Sequence, residues 1–310
     1  MFSFSNIKGQ DYAVKILKNQ FKNSRLPHFY IFHGQKGVGK QSTAKAFAKL
    51  LNCNSPTIDI DSCNECRSCR LIEHENNPDV INLDFEWQAQ ILGTKEKKRS
   101  FYYKIETIHE LVRRLNFVSG ENIFRVIIFD QADRLTDDAS GALLKTLEEP
   151  PGRTIFIFIT DKIHKILPTI ISRSQMINFY PLSKKLFKEV AANLSYEVTD
   201  QDYYSYNASP GLLAESSKGE DMSGGDIFVN FLKKGANSAD MIEWLDTLTG
   251  SKDTMDDFLK GLLETYRRNK YLTNAEMDHV KYILQAGYRH EHFVNPQLIC
   301  LDLFLKMKEL

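Results

Sequence analysis

The chain carries no net charge: its 310 residues hold 40 Lys and Arg against 40 Asp and Glu. It therefore lacks the overall positive field of a protein that grips nucleic acid unaided, although a local basic patch is compatible with the balance. No apolar run approaches the roughly 20 residues that span a bilayer, which argues against a membrane-embedded protein. The opening Met1-Phe2-Ser3-Phe4-Ser5-Asn6 has neither the basic start nor the apolar stretch of a secretion signal, so the cytoplasm is the expected location. Thiols there are ordinarily reduced. Short internal repeats are absent as well. What is present, with 42% hydrophobic and 26% charged residues, is a globular composition in a chain long enough for two or three domains.

Apolar patterning orders the first two thirds. Val14, Ile16, Leu17 and Phe21 predict an amphipathic helix over 10–23. His-Phe-Tyr-Ile-Phe-His at 28–33 predicts a buried strand, followed by a helix over about 40–52 with Ala44, Phe47, Ala48 and Leu51 on one face. Strand-like runs recur at Val80–Leu83, Arg125–Phe129 and Thr154–Ile159, with helical patterns at 105–115 and 138–148 between them. Such alternation predicts an α/β fold with a doubly wound, mostly parallel sheet. Residues 93–104 form a charged, exposed insertion, and Pro181 closes the sheet region. Short helices are expected over 183–219. After a flexible stretch at 218–225, residues 226–310 show helical periodicity and almost no strand signal.

Three local patterns carry chemistry. The first is Gly34-Gln35-Lys36-Gly37-Val38-Gly39-Lys40-Gln41, set between a strand and a helix. Glycines there let backbone N–H groups wrap phosphate oxygens, the helix N-terminus favours negative charge, and Lys40 reaches the outer phosphates. The bland alternative is a Gly-rich turn with no ligand. The second is Asp130 at a strand end, followed by Gln131, Ala132 and Asp133. The third is Cys53, Cys63, Cys66 and Cys69, spaced C-x9-C-x2-C-x2-C. Four thiolates this close match a closed tetrahedral Zn²⁺ site of structural rather than catalytic kind, with an iron–sulfur cluster or a redox pair as alternatives. Cys300 stands apart on a helical pattern and reads as core.

Residues 138–151, Asp-Ala-Ser-Gly-Ala-Leu-Leu-Lys-Thr-Leu-Glu-Glu-Pro-Pro, lie between the strand ending in Asp130 and the strand ending in Thr160, with Ser172-Arg173-Ser174 downstream. With the phosphate loop, this set in this order resembles the bacterial clamp-loader branch of the AAA+ ATPases. The resemblance covers about the first 215 residues, and the remainder only by length and helicity. It implies an AAA+ core over 1–181 with a zinc module at 53–69, a helical lid over 182–220, and an all-α collar over 221–310 that joins a ring. It also favours Zn²⁺ among the metal readings, places a polar sensor at Thr160, and makes Arg173 an arginine finger donated to a neighbour's ATP site.

Three positions depart from an active motor. Gln41 stands where Ser or Thr ligates Mg²⁺; Ser42 is turned away by about 100° of helix, and the length of a Gln side chain suits the metal poorly. Gln131 stands where Glu accepts a proton, which Gln cannot do. Asp133 is expected beyond the strand end, capping or starting the following helix. The lid stretch Asn207-Ala208-Ser209-Pro210-Gly211-Leu212-Leu213-Ala214 has no Arg. Within the family these departures imply the non-hydrolysing delta-prime kind of subunit, with ATP binding left open at Gly34, Gly37, Gly39, Lys40, Gln41, Asp130 and Thr160. Implied partners are a gamma/tau motor subunit and a delta subunit in a hetero-oligomer, with the sliding clamp and primed DNA reached through the complex and no membrane. The alternative is a gamma/tau-type motor, which would carry Ser or Thr at 41, Glu at 131, a lid Arg and often a longer C-terminal extension. A small-molecule kinase leaves the cysteines and residues 138–151 unexplained.

Other residues weigh toward structure. His28 and His33 suit core or adenine-pocket packing better than proton chemistry. Glu148-Glu149-Pro150-Pro151 reads as a helix terminator facing a neighbour rather than a catalytic acid pair. Lys95–Arg99 reads as a solvated loop rather than a DNA contact. Leu298, Leu301, Leu303, Phe304 and Met307 are expected first as core and second as an oligomerisation face.

Overall fold

The computed structural model describes residues 2–93, 102–116, 123–217, 273–291 and 296–308, and singly 228, 258, 259, 261–263 and 266. Most of the expected charged insertion and the 218–225 stretch lie outside the described residues. The chain divides into two compact units, one of 1–198 with 206–212 and one of 199–205 with 213–310.

The first unit is built on five parallel strands in the order β2-β3-β4-β1-β5: β1 Phe29–His33, β2 Val80–Leu83, β3 Arg125–Phe129, β4 Thr154–Thr160 and β5 Gln175–Asn178. Strands buried on both faces read as continuous apolar runs, and Thr-Ile-Phe-Ile-Phe-Ile-Thr in β4 is buried at every position. Alternate side chains serve opposite faces. Phe29, Ile31, Ile127, Phe129, Phe156 and Phe158 pack against Ile108, Leu111 and Leu115 of α5 (Ile105–Leu115) and Ala139, Leu143 and Leu147 of α6 (Asp137–Glu148). On the other face, the Tyr30 ring meets Phe47 of α2 (Lys40–Leu51) edge-on, with centroids 5.6 Å apart.

The remaining helices of this unit are α1 (Asp11–Lys22), α3 (Arg67–Glu73), α4 (Phe85–Leu92), α7 (Pro168–Ile171), α8 (Lys184–Asn193), and the start of α10 (Pro210–Ser217). Their ends have local causes. Thr136 caps α6 by accepting from the Ala139 N–H at 3.3 Å, and Asp137 and Asp138 complement the first-turn dipole. Pro150 and Pro151 stop its continuation. β5 was not among the expected strands: as an edge strand it buries only Ile177, so Gln-Met-Ile-Asn has no apolar run to reveal it.

The N-terminal segment is tied down by acids from the cysteine excursion. The buried Asp61 carboxylate accepts from Ser3 Oγ at 2.6 Å and from the backbone N–H groups of Phe4, Ser5 and Ser62 at 3.1, 3.0 and 2.8 Å. Glu73 accepts from the Phe2 N–H at 3.0 Å and from Lys49 Nζ at 2.5 Å. These bonds set the Phe4 ring, itself buried, 6.4 Å from that of Phe47.

In the second unit, α9 (Asp200–Ser205), α11 (Asn274–Glu291) and α12 (Pro296–Lys308) are the described helices besides the rest of α10. Its core joins Phe228, Phe258, Leu262 and Tyr266 to Ile283 of α11 and to Cys300, Leu303, Phe304 and Met307 of α12. Leu298, expected in this core, is 61% exposed, because it falls on the opposite side of α12 from Leu303. No described helix is long and apolar enough to cross a membrane.

Candidate phosphate-loop site and cysteine centre

β1 and β4 are neighbours in the sheet but far apart in sequence, so the loops that leave their C-terminal ends are brought side by side. The Gly34 N–H donates to the Thr160 carbonyl at 3.2 Å, pinning the start of the loop to the end of β4. Gly39 adopts φ 101° just before α2, and no side chain caps that helix. A left-handed glycine and an uncapped helix start are what an anion site requires. Gln10 braces the loop from outside: its Nε2 donates to the carbonyls of Val38 at 3.1 Å and Tyr180 at 2.7 Å.

Lys40 points inward and is 6% exposed, with Nζ donating to the carbonyls of Gly34 at 2.6 Å and Gln35 at 2.7 Å. Burial pulls its pKa down to about 8, against the opposing pull of Asp161, Asp130 and Asp133. His33 is likewise lowered, first by burial and then by Lys40. Gln41 is exposed, Ser42 is half-buried, and the buried Thr43 hydroxyl donates back to the Gly39 carbonyl at 2.8 Å.

The loop is packed by the chain itself. Asn207 and Ala208 adopt left-handed backbone, φ 50° and 57°, a conformation that costs L-residues about 1–2 kcal/mol each. That turn delivers residues 209–212 onto the loop. Ser209 Oγ donates to the Lys36 carbonyl at 2.6 Å, the Gly211 N–H donates to the Gly37 carbonyl at 3.0 Å, and Gln35 Nε2 donates to the Asn207 carbonyl at 2.5 Å. A Cβ on Gly211 would lie 2.6 Å from Gly37 Cα, and one on Gly37 would lie 2.7 Å from the Leu212 nitrogen. Backbone therefore meets backbone, and both positions need glycine. The sequence singled out this segment only for the Arg it lacks; its Pro-Gly pair was the available signal for a close approach.

The acidic residues differ from expectation. Asp130 directly follows the last residue of β3, and burial raises its pKa. Gln131 then turns into left-handed backbone, φ 46° and ψ 50°, with its side chain exposed. Asp133 does not cap the next helix. It lies in a one-turn 3₁₀ helix, Ala132–Arg134, 7% exposed, and its Oδ1 accepts from Thr160 Oγ1 at 2.8 Å. The left-handed turn at Gln131 accounts for this, since it rotates the following residues back toward β4. Burial raises Asp133 as well, with the Thr160 hydroxyl opposing. Arg173 stands apart from these groups, just after α7, with its guanidinium on Glu148 at 2.6 Å.

The four cysteines do converge. Their Sγ atoms all lie within 4.8 Å of one another, and Cys63 and Cys69 are 3.9 Å apart. With metal–sulfur bonds of about 2.3 Å, a tetrahedral ion calls for sulfurs about 3.8 Å apart. Backbone N–H groups of Cys63, Cys66 and Cys69 point at the sulfurs of Cys53, Cys63 and Cys66, at 3.2, 3.4 and 3.5 Å. Those of Cys66 and Glu65 hold the Cys63 thiol down to about 6, whereas burial pushes Cys53 and Cys69 up. A cation among them would favour all four as thiolates. The set fits one tetrahedrally held metal ion.

A parallel sheet, a Gly-rich strand-to-helix loop carrying an inward Lys, and an Asp just past a strand end beside it define the phosphate-loop class of fold, in its AAA+ form. The chain belongs to the family described as DNA polymerase III, delta subunit, whose pattern matches residues 9–183, more than half of it. Among curated proteins, it is 38% identical over 176 residues to the DNA polymerase III subunit tau of Bacillus subtilis, covering 57% of this chain and 29% of that one. It is 31% identical over 217 residues to the subunit tau/gamma of Haemophilus influenzae, covering 70% and 29%. The chain thus spans under a third of the length of these relatives. A DNA polymerase III gamma subunit-related protein from Thermotoga maritima shares the fold, with a TM-score of 0.54 and 14% identity over 95% of this chain and 98% of that one.

Proposed function

We propose that this chain is a subunit of a DNA polymerase III clamp loader, of the delta-prime kind, that does not turn over ATP at its own loop. The observation that carries the finer reading is the seating of residues 207–212 on the phosphate loop, where Gly211 and Gly37 pack backbone to backbone. The exposed Gln41 and Gln131 agree with it, since neither side chain is held where a metal or an attacking water would be managed. In this reading the chain is a rigid member of a hetero-oligomeric ring with gamma/tau motor and delta subunits. It helps place the sliding clamp on primed DNA and lends Arg173 to a neighbour's ATP site. The ion at Cys53, Cys63, Cys66 and Cys69 is Zn²⁺, in a structural role.

A second reading, the gamma/tau motor, has specific support: the curated relatives cited are named tau and tau/gamma, and by name they favour it. Asp130 also lies within electrostatic reach of Lys40, which agrees with it. The two readings separate in a reconstituted complex assayed for ATP turnover stimulated by clamp and primed DNA. For the delta-prime kind, Arg173→Ala in this chain lowers turnover by about 10³-fold at the neighbouring site, whereas Lys40→Ala leaves it unchanged. Loss of turnover with Lys40→Ala alone would establish the motor reading instead.

A further inference from the structure

Glu148 is an acid in an unfavourable place. It closes α6, where the helix dipole presents its negative end and disfavours a carboxylate. The two prolines explain why the helix stops, but not why an acid stands there. Among the described residues its partner is Arg173, whose Nε and Nη2 both donate to Glu148 Oε1, at 2.7 and 2.6 Å. On the far side, Arg173 Nη1 donates to the Thr169 carbonyl at 2.8 Å. These three bonds use one N–H on each guanidinium nitrogen. Arginine has five such donors, so one N–H of Nη2 is left over and the second N–H of Nη1 meets only Ser172 Oγ; the terminal edge of the group is the part least taken up. The approach of Nη1 to Ser172 Oγ is long, at 3.4 Å, and competes weakly for that edge.

We infer that Glu148 is a positioning residue for Arg173: it grips the inner edge of the guanidinium and leaves the terminal fork facing outward for a phosphate. The inference rests on the reading of Arg173 as a residue donated to a neighbouring nucleotide site. A fork held in advance matches two phosphate oxygens without first losing the freedom of a long side chain. Both partners are open to water, with side chains 46% and 39% exposed, so the pair is weak enough to adjust as phosphate arrives. This gives the last acid of the 138–148 helix a task in the reaction rather than only in ending a helix.

The test is the turnover of the reconstituted complex with clamp and primed DNA, using Glu148→Ala, Glu148→Gln, Arg173→Ala and the double variant, with Glu149→Gln as control. Glu148→Ala is expected to lower kcat about tenfold, with KM for ATP, complex assembly and Tm unchanged. Glu148→Gln keeps an acceptor oxygen and should restore most of the rate. The double variant should be no slower than Arg173→Ala, because Glu148 acts only through that side chain. If Arg173→Ala slows turnover and Glu148→Ala does not, the positioning role is wrong and the donated arginine stands. If Glu148→Ala slows the Arg173→Ala background further, Glu148 acts by another route and the inference fails. If Arg173→Ala has no effect, the reading beneath it fails as well.

Discussion

The phosphate loop and the cysteine centre sit at opposite ends of the same helix, α2, and each was visible as a spacing of a few residues. They differ in what the rest of the chain does with them. The cysteine sulfurs face one another across a gap sized for an ion, with backbone N–H groups turned toward them. The phosphate loop has its glycines and its Lys, but residues 207–212 are packed on it and Lys40 is satisfied by the loop's own carbonyls. A local motif states which ligand a segment is able to wrap. Whether the place stays open is decided by contacts made elsewhere in the chain.

The comparison can be broken most forcefully at the cysteines. Cys69→Ser removes a buried ligand and should cost on the order of 4 kcal/mol or more, by denaturant unfolding, along with the bound metal. Retention of one equivalent of metal and of full stability in that variant would mean that the four sulfurs do not act as one set. Next comes Gly211→Ala, whose Cβ collides with Gly37 and should cost about 1–3 kcal/mol. Displacing the segment should also let millimolar Mg·ATP raise the Tm of the variant but not of the parent chain. A parent chain that responds equally to Mg·ATP would show that the packed segment does not close the loop.

The smallest effect is a pH dependence carried by Lys40. Its pKa in the folded chain is lowered to about 8, below the ordinary lysine value it regains on unfolding. Between the two values the unfolded chain binds more protons, so raising the pH stabilises the fold. Relative to Lys40→Met, the parent chain should gain about 1 kcal/mol between pH 8 and pH 9, measured by unfolding both in parallel. A constant difference across that window would place Lys40 in a more hydrated setting than its burial indicates.

Much of the sheet was legible because β1, β3 and β4 are covered on both faces and so had to be apolar throughout. β5 escaped because an edge strand with one buried residue carries no such signature. The cysteine set and the loop were legible because their partners are near in sequence. The seating of Ser209 on Lys36 joins residues 173 positions apart, and no spacing rule reaches that far. Asp133 lies beyond the strand end as expected, but its burial against Thr160 was not legible: a left-handed residue at Gln131 redirects the backbone, and Gln is not a residue type that announces one. Leu298 shows the limit of periodicity, since an apolar residue on a helical pattern does not reveal which of two faces is covered.

The acids that fasten the N-terminal segment imply an order of events during folding. Phe2 waits for Glu73, 71 residues later, and Phe4 waits for Asp61, 57 residues later. Contacts that close such long loops form late, after the entropy of closure has been met. The segment from Phe2 to Ser5 is therefore fastened only once Asp61 and Glu73, on either side of the cysteine pair Cys63 and Cys66, are in place.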